Sequence, residues 1–393
     1  MKYGSVRYSA RSARRTYTVR SVLRAATLLK TFASTAEILE LRTIAKRTSF
    51  NKATVFRLAE TLVEAGLLER IGGRGYRSRI DVTLSKNYRI GYAAQSGVVP
   101  FTATVTDSLI TAASAANIDL LVLNNRFSAK AALQNADRFI CDKVDLVIDS
   151  QLDYKIAGQI ASKFSDAQIP FVALDLPHPG AFYFGADNYK AGRMAGRYLG
   201  KWAQKQWSGA AKEIILIGAE VGGPSLKSRL TGMHDGILES LPGLRNAQTS
   251  YLDTKGQFER TLDMMRKQLR RRRLRRVLVG AVNDVSALAA LQSFRECGME
   301  NDCAICGQDA CAEARTELRK ESTRLVCSVA YFPERYGEQL IKLAIDILNN
   351  KAVAPAIFTR HELVTPETVD KLYPNDLWVS TGALARREIG TSG

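Results

Sequence analysis

Polar and aromatic side chains recur in the larger, C-terminal part of this 393-residue chain, each group directly after a short apolar run. Their carboxylates and amides can exchange hydrogen bonds with the hydroxyls of a neutral polyhydroxy ligand, and their aromatic faces can stack on a sugar ring. The groups fall at residues 95–101, 149–151, 175, 222–225, 283–284 and 308–309. Any one of these side chains can instead cap a helix or satisfy loop backbone, so the set is more informative than a single member.

The apolar runs that precede these groups are each followed by a segment with helical periodicity. The runs lie at residues 88–92, 119–123, 146–148, 171–174, 214–217, 277–279 and 303–306. This alternation predicts an α/β fold with parallel sheets that are covered by helices on both faces. Ligands of such folds bind at the carboxyl ends of the strands, so we expect the polar groups to converge on one site.

A second set of residues, near the N-terminus, could read nucleic acid. Residues 41–79 predict two helices joined by a tight turn and followed by a basic β-hairpin. The buried face of the second helix contains Val55, Leu58, Leu62 and Val63, and its exposed start contains Asn51, Lys52, Thr54 and Arg57. A recognition helix places such an exposed start in the major groove of double-stranded DNA.

The predicted hairpin pairs residues 67–70 with residues 76–79 across a glycine-rich turn. Glycine tolerates the positive φ angles of tight hairpin turns. Arg74 lies at the tip of this wing, and Arg70 and Arg77 lie on its sides. We expect the wing to lie along a phosphate backbone or to enter the minor groove.

The charge distribution favours a polyanionic partner for this part of the chain. The net charge is +17, and residues 1–90 hold 19 Lys and Arg against 6 Asp and Glu. Such a concentrated basic surface usually neutralises phosphates, and a merely solvated face is the alternative.

An amphipathic helix is predicted ahead of this motif. Its apolar residues are spaced by three and four, so the stripe must be buried, and we expect the next two helices to bury it. The stripe comprises Val22, Leu23, Ala26, Leu28, Leu29 and Phe32.

The runs SVLRAATLL, LRTIA, NKATVFRLAETL and GLLER resemble the winged helix-turn-helix of the IclR family of bacterial transcription regulators. The resemblance covers about residues 20–80 and implies DNA binding. One departure is Ser49, which stands in the turn where the family usually has glycine. A winged helix used only for protein contact is the alternative interpretation.

The ordered series of polar groups resembles the type I periplasmic sugar-binding proteins and the effector domains of the lac repressor family, over about residues 87–370. The resemblance implies a two-lobed domain with a sugar or sugar-like ligand between its lobes. By position, Phe101 is implied to be an aromatic wall, and Asp149 and Asp175 are implied to accept ligand hydroxyls. Asn188 belongs to the Asp-Asn pair that follows the crossing between the lobes.

The same resemblance implies ligand-binding residues in the second lobe. Arg229, in the run SLKSRLTG, matches a ligand-binding arginine of the family. Asn283 and Asp284 match its Asn-Asp pair, and Asp309 and Tyr331 take the last two pocket positions.

Two departures from the family bear on the ligand. Leu176 follows Asp175 where ribose-type binders carry arginine, and Tyr331 replaces a common amide. We therefore expect a ligand that is larger than a pentose, less polar, or of another kind.

Membrane insertion and secretion are not expected. No apolar run reaches the ~20 residues that cross a bilayer, and the best candidate for a signal core, residues 22–32, is interrupted by Arg24 and Lys30. Six cysteines are too few for a disulfide scaffold. These observations predict a cytoplasmic protein.

The sequence contains no positive signal for metal binding or for catalysis. Cys303 and Cys306 lie on a predicted strand, where residues three apart face opposite sides, and with Cys311 they lack a histidine that would complete a metal site. The histidines, at positions 178, 234 and 361, are scattered, and no local signature places a nucleophile beside a base. We therefore predict no metal, no cofactor and no enzymatic activity.

One further basic run, residues 266–276, holds eight Lys and Arg. It could be a second nucleic-acid contact, and the interpretation that we favour is a solvated helix end with its loop.

Together these patterns predict a disordered basic arm at residues 1–17, a winged helix-turn-helix domain at 18–82 and a two-lobed effector domain at 87–393. They predict a ligand-responsive regulator that binds a double-stranded DNA operator and a small-molecule effector, most consistent with a carbohydrate. A homodimer is expected because operators are usually pseudo-palindromic. A solute-binding receptor without a regulatory role and an α/β enzyme with an appended DNA-binding domain are the alternatives.

Overall fold

The computed structural model describes residues 6–8, 19–32, 35–73, 75–80, 88–97, 99–272 and 274–376, and these fall into two units. The smaller unit spans Ser9–Tyr88, and the larger unit joins Met1–Tyr8 to Arg89–Gly393. Strand β1 (Val6–Tyr8) lies within the arm that we predicted to be disordered, and the prediction is wrong for these three residues. Their backbone pairs antiparallel with an edge strand of the larger unit, which offers unpaired amide and carbonyl groups.

The smaller unit is a winged helix. Its elements, in chain order, are α1 (Arg20–Leu29), β2 (Ile38–Glu40), α2 (Leu41–Thr48), α3 (Lys52–Glu64), β3 (Leu68–Ile71) and β4 (Gly75–Ser78). The strands form an antiparallel sheet in the order β2-β4-β3. The helices and the sheet share one apolar core that includes Leu28, Ile44, Val55, Leu62 and Tyr76.

Local signals in the sequence set the ends of the two central helices. The Asn51 side chain caps α3, because its Oδ1 accepts a hydrogen bond of 2.8 Å from the Thr54 amide. Ser49 adopts a left-handed conformation with φ of 59° in the turn before it. Glycine would adopt that conformation with less strain, which explains why the IclR family usually has glycine there.

Only part of the apolar stripe of α1 is buried. Leu28, Leu29 and Phe32 are in the core, whereas Val22 and Leu23 are 64% and 52% exposed. The prediction that α2 and α3 bury the whole stripe is therefore wrong, because only the C-terminal half of α1 contributes to the core.

The larger unit has two lobes, each built on one sheet. The first lobe begins with β5 (Arg89–Ala94), α4 (Pro100–Ala115), β6 (Asp119–Asn124), α5 (Ala129–Cys141), β7 (Leu146–Asp149), α6 (Ala157–Asp166), β8 (Phe171–Leu174) and β9 (Phe182–Gly185). The second lobe follows with α7 (Asn188–Trp207), β10 (Glu213–Gly218), α8 (Gly223–Ser240), β11 (Gln248–Asp253), α9 (Phe258–Arg271), β12 (Val277–Ala281), α10 (Asp284–Glu296), β13 (Cys303–Asp309), α11 (Ala312–Leu318) and β14 (Leu325–Ala330). The chain then returns to the first lobe with α12 (Tyr336–Leu348) and β15 (Ala356–Phe358), and ends in the second with β16 (Glu362–Val364) and α13 (Val369–Leu372).

Both sheets are parallel except at one edge, as the alternation of apolar runs and helices predicts. The order is β1-β6-β5-β7-β8-β9-β15 in the first lobe and β11-β10-β12-β13-β14-β16 in the second. The antiparallel strands are β1 and β16. Each of the apolar runs that we predicted to be strands lies in or overlaps one of the parallel strands. Within the described residues, no helix combines the length and the hydropathy that spanning a bilayer requires.

Helices α7 and α8 touch through their backbones. A Cβ atom at Gly192 would overlap the carbonyl oxygen of Arg229, and one at Gly196 would overlap that of Met233. Glycine is therefore required at both positions for the helices to lie this close, and the contact fixes the turn of α8 that carries Arg229.

Candidate ligand and nucleic-acid sites

A cavity of about 670 Å³ lies between the carboxyl ends of the two sheets, where doubly wound folds bind their ligands. Its polar lining comprises Gln95, Thr102, Asn125, Ser128, Gln151, Asp153, Asp175, Arg229, Lys255, Gln257, Asn283, Asp309 and Tyr331, and its aromatic lining includes Phe101, Phe127 and Phe258. Six residues of the predicted ligand site are therefore brought together here, namely Phe101, Asp175, Arg229, Asn283, Asp309 and Tyr331. Three others, Asp149, Asn188 and Asp284, do not line the cavity.

Arg229 is anchored in this cavity by several contacts with the protein. Its Nε donates a hydrogen bond of 2.8 Å to Asn188 Oδ1, and its Nη1 donates one of 2.6 Å to the Val282 carbonyl. The guanidinium also lies 5.1 Å from the centroid of the Tyr331 ring, a cation–π distance. These contacts hold the guanidinium in place before a ligand arrives.

Asn188 supports this arrangement and does not line the cavity itself. It is the first residue of α7, and its amide also donates a hydrogen bond of 2.9 Å to Ser225 Oγ. Because both ends of the amide are occupied by protein groups, the prediction that Asn188 lines the ligand cavity is not met by this geometry.

Asp175 and Asp309 are two of the three carboxyl groups that share the cavity with Arg229. Burial raises the pKa of Asp175 to about 7, although the charge of Arg229 opposes the shift. Burial and the charge of Asp284 raise the pKa of Asp309 well above its ordinary value, although the charge of Arg229 again opposes the shift. Near neutral pH the carboxyl group of Asp175 can therefore act as a hydrogen-bond donor or as an acceptor.

The backbone at these two carboxyl groups is also unusual. Asp175 and Asp309 have φ angles of 63° and 104°. Non-glycine residues seldom adopt such conformations, which cluster at ligand sites.

Asp149 does not line the cavity. Its carboxylate is buried, and its Oδ2 lies 3.0 Å from Nε2 of the buried His178. His178 Nδ1 is 2.7 Å from the Leu176 carbonyl, which can only accept a hydrogen bond, so Nδ1 carries a proton. The loop after β8 thus provides a buried partner for Asp149, and Gln151 takes the place beside the cavity that we had predicted for Asp149.

Asp284 is likewise a buried structural residue. Its Oδ1 accepts a hydrogen bond of 2.7 Å from Ser328 Oγ, and its Oδ2 accepts one of 2.8 Å from the Cys311 amide. It thereby ties α10 to β14 and to the residue that precedes α11. Burial raises its pKa to about 7.

Its neighbour Asn283 faces the cavity but is partly committed to the protein. Its Oδ1 caps α10 by accepting from the Ser286 amide at 3.0 Å, and its Nδ2 donates to the Gly256 carbonyl at 3.0 Å. Asn283 therefore shapes the loop that brings Lys255 and Gln257 to the cavity.

The aromatic wall around Phe101 is a cluster of edge-to-face contacts. The Phe101 ring centroid lies 6.3 Å from that of Tyr331 and 5.8 Å from that of Tyr336. The Tyr331 hydroxyl donates to the buried amide oxygen of Gln308. Tyr331 is thus positioned by the protein, and its ring supports the guanidinium of Arg229.

Our sequence-based site omitted several lining residues. Asn125 and Lys255 follow β6 and β11, and Phe127, Gln257 and Phe258 lie just beyond them. Position after a strand was the signal that could have identified them. It was usable for β6 but not for β11, which lacks a long apolar run.

The start of α3 presents the side chains expected of a DNA-reading helix. Lys52 and Arg57 are exposed and Thr54 is half-buried, whereas the Asn51 Oδ1 is occupied by the helix cap. Phe56, which our sequence-based set omitted, is 47% exposed next to Arg57. This surface therefore combines two cations with an apolar ring.

The wing is stiffened by ion pairs. Arg70 contacts both Glu60 and Tyr76, and Glu60 accepts a hydrogen bond of 2.8 Å from the Tyr76 hydroxyl. Arg77 on the other side of the wing is paired with Glu69. Both arginines remain partly exposed, with side chains 45% and 40% accessible. The third predicted wing residue, Arg74, lies outside the described residues.

Two other predictions can be compared with this geometry. Among the described residues, no group of three His, Cys, Asp or Glu side chains is arranged to hold a metal ion.

In the basic run at residues 266–276, Arg266 pairs with Glu296 at 2.6 Å and Arg272 pairs with Glu213. Part of the charge of this run is therefore neutralised within the second lobe.

Comparison with known families identifies both units. A periplasmic binding protein domain matches residues 90–352, and an IclR helix-turn-helix domain matches residues 21–72. A search of curated proteins found no match.

Solved structures share the fold of the larger unit. An ABC transporter solute-binding protein from Bacillus halodurans, with bound myo-inositol, is 20% identical with a TM-score of 0.64, covering 73% of this chain and 98% of that one. One from Actinobacillus succinogenes, with bound D-allose, is 16% identical with a TM-score of 0.64, covering 72% and 99%. The myo-inositol binding protein of Caulobacter is 18% identical with a TM-score of 0.64, covering 72% and 95%. With two lobes, a cavity between them and a family match over most of its length, the chain belongs to the periplasmic binding protein domain family, joined to an IclR helix-turn-helix domain that precedes it.

Proposed function

We propose that this protein is a cytoplasmic transcription regulator that responds to a sugar or a sugar-like polyol. The observation that carries the proposal is the presence, in one chain, of a basic winged helix and of a cavity in which Arg229, Asp175 and Asp309 lie beside an aromatic wall. A transporter receptor needs no DNA-reading helix.

The chemistry of the cavity supports a neutral ligand. Its lining mixes two cations, Arg229 and Lys255, and three carboxyl groups with the uncharged amides of Gln95, Asn125, Gln151, Gln257 and Asn283. Carboxyl groups that can donate or accept suit hydroxyls, which also do both. The solved relatives with bound myo-inositol and D-allose support the same class of compound.

The DNA-binding surface consists of the start of α3 and the wing. Lys52 and Arg57 neutralise phosphates or reach base edges, and the exposed ring of Phe56 is suited to contact a thymine methyl group in the major groove. The ion pairs of Arg70 with Glu60 and of Arg77 with Glu69 hold the wing in shape, and the exposed faces of the two guanidinium groups remain available to phosphates.

Ligand binding is coupled to DNA binding through the closure of the two lobes. In a homodimer, closure would change the spacing of two winged helices, and the ligand shifts that equilibrium by binding one arrangement more tightly than the other. The dimer is part of the proposal, because one small winged helix rarely provides enough specificity for an operator.

The test is capture of genomic DNA fragments at controlled salt, with and without myo-inositol, D-allose, D-glucose or D-galactose. We expect salt-sensitive capture of a few sequences that is altered by at least one of these compounds. Capture without sequence preference would contradict the regulatory role. Selective capture that no sugar or polyol alters, combined with no thermal stabilisation by any of them, would contradict the ligand class.

A further inference from the structure

The two lobes touch at a point that lies away from the crossings of the chain between them. Tyr154, in a single helical turn of the first lobe (Tyr154–Ile156), lies against Gly223, at the start of α8 in the second lobe. A Cβ atom at Gly223 would lie 2.5 Å from Cγ and 2.7 Å from Cδ1 of the Tyr154 ring. Gly223 also has a φ of 57°, so its conformation favours glycine as well.

This contact borders the cavity on both sides of the cleft. On the first lobe, Asp153 and Ile156 flank Tyr154 and line the cavity. On the second lobe, Val221 and Leu226 lie on either side of Gly223 and line it too. The tyrosine ring therefore reaches across the rim of the cleft to the backbone of the opposite lobe.

We propose that the contact between Tyr154 and Gly223 is the closing contact of the cleft: it forms when the lobes close and breaks when they open. Glycine is needed because any side chain would meet the ring before the lobes closed fully. The contact contributes to ligand affinity without touching the ligand, because a ligand held between two lobes binds in proportion to the fraction of molecules that can close. The part of the proposal that concerns affinity depends on the proposed function, and the part that concerns closure does not.

A ligand-free experiment tests closure by itself. Spin labels are placed on the exposed Ser165 of α6 and the exposed Glu259 of α9, as Ser165→Cys and Glu259→Cys, in a background where Cys141, Cys297 and Cys311 are replaced by serine. Electron–electron double resonance then gives the distribution of distances between the lobes. We expect Gly223→Ala to shift this distribution to longer distances and Tyr154→Ala to broaden it.

A control variant tests a Cβ atom at a positive φ that meets no neighbouring atom, and a double variant tests the overlap itself. Gly298, also in the second lobe, has a φ of 65°, and no described atom lies within 4 Å of where its Cβ would be. Gly298→Ala therefore places a Cβ atom at a positive φ without an overlap, and we expect the wild-type distance distribution. The double variant Tyr154→Ala/Gly223→Ala removes the ring that a new Cβ would meet, so it should regain the shorter distances that Gly223→Ala loses.

Titration with myo-inositol and D-allose tests affinity. Tyr154→Ala should raise Kd about four- to tenfold, and Gly223→Ala by roughly tenfold or more. A distance distribution that Gly223→Ala leaves unchanged, or a double variant no different from Gly223→Ala alone, overturns the closing contact. If the distances shift as expected and the wild type binds none of the sugars, the closing contact stands and the ligand class is wrong.

Discussion

Arg229 and Asn188 are joined by a hydrogen bond of 2.8 Å from Nε to Oδ1, and this bond links the ligand cavity to the first residue after a crossing between the lobes. Asn188→Ala removes the acceptor but no cavity-lining atom. We expect it to raise Kd for a sugar or polyol about tenfold, because the guanidinium loses one of its two anchors. Calorimetric titration measures the effect. Asn188→Asp keeps the acceptor oxygen, so its Kd for the ligand should be close to that of the wild type. An equal loss of affinity in both variants would contradict a positioning role for Asn188.

The DNA-reading and ligand-binding surfaces lie in different units and should be separable by single substitutions. Arg57→Ala removes an exposed cation from α3 and should abolish selective DNA capture while ligand titrations remain unchanged. Arg229→Ala should do the reverse, because it removes the central cation of the cavity. Thermal unfolding of both variants serves as the control. Loss of both activities in either variant would indicate misfolding instead.

The exposed ring of Phe56 predicts a contact that depends on sequence and not on salt. Phe56→Ala should weaken binding of a selected duplex about fourfold, the effect expected for one methyl contact. Uracil lacks the methyl group of thymine. Replacing thymine by uracil at one position of the duplex should therefore weaken the binding of the wild type and leave the binding of the variant unchanged. The slope of log K against log salt should stay at its wild-type value in Phe56→Ala and become shallower in Arg57→Ala. Uracil substitution that weakens both proteins equally would rule out this contact.

Asp175 predicts a pH dependence of ligand binding. Its pKa of about 7 means that the carboxyl group is protonated at pH 6 and ionised at pH 8. A ligand hydroxyl that donates to it prefers the ionised form, so affinity should rise about tenfold between these pH values. Asp175→Asn cannot ionise and should bind with little dependence on pH. A wild-type affinity that is flat from pH 6 to pH 8, or falls, would contradict an accepting role for Asp175.

The central strands and most of the cavity could be predicted from the sequence because their signals are strong. A strand that is covered by helices on both faces must be largely apolar, as β10, β12 and β13 are, and such runs are easily recognised. The polar residues that follow them are then placed at the edge where the ligand binds. The edge strand β11 is mostly exposed and lacks such a run, so Lys255 and Gln257 were not predicted.

The direction of individual side chains at the strand ends could not be predicted. Asn283 faces the cavity while the adjacent Asp284 is buried, and this difference depends on how α10 begins and on Ser328, which is distant in the sequence. Asp149 does not line the cavity and lies beside His178, which a later loop supplies. In both cases the deciding partner is a tertiary contact, which spacing along the chain does not reveal.

The burial of Asp284 predicts a pH-dependent contribution to stability. Its pKa is about 7 in the folded chain and 3.8 ordinarily, so the folded state binds this proton more tightly than the unfolded state does. The stabilisation that this proton provides is complete below pH 3.8, falls as the pH rises, and is lost above about pH 7, and it is on the order of 4 kcal/mol at most. Asp284→Asn removes the titrating group and also one acceptor oxygen. It should therefore lower the Tm at pH 5, and lower it less at pH 8, where the wild type has itself lost the stabilisation from the proton. The exposed Asp263→Asn is the control and should shift the Tm little at either pH. A Tm difference for Asp284→Asn that is the same at both pH values would show that the Asp284 carboxyl group has no raised pKa in the folded chain.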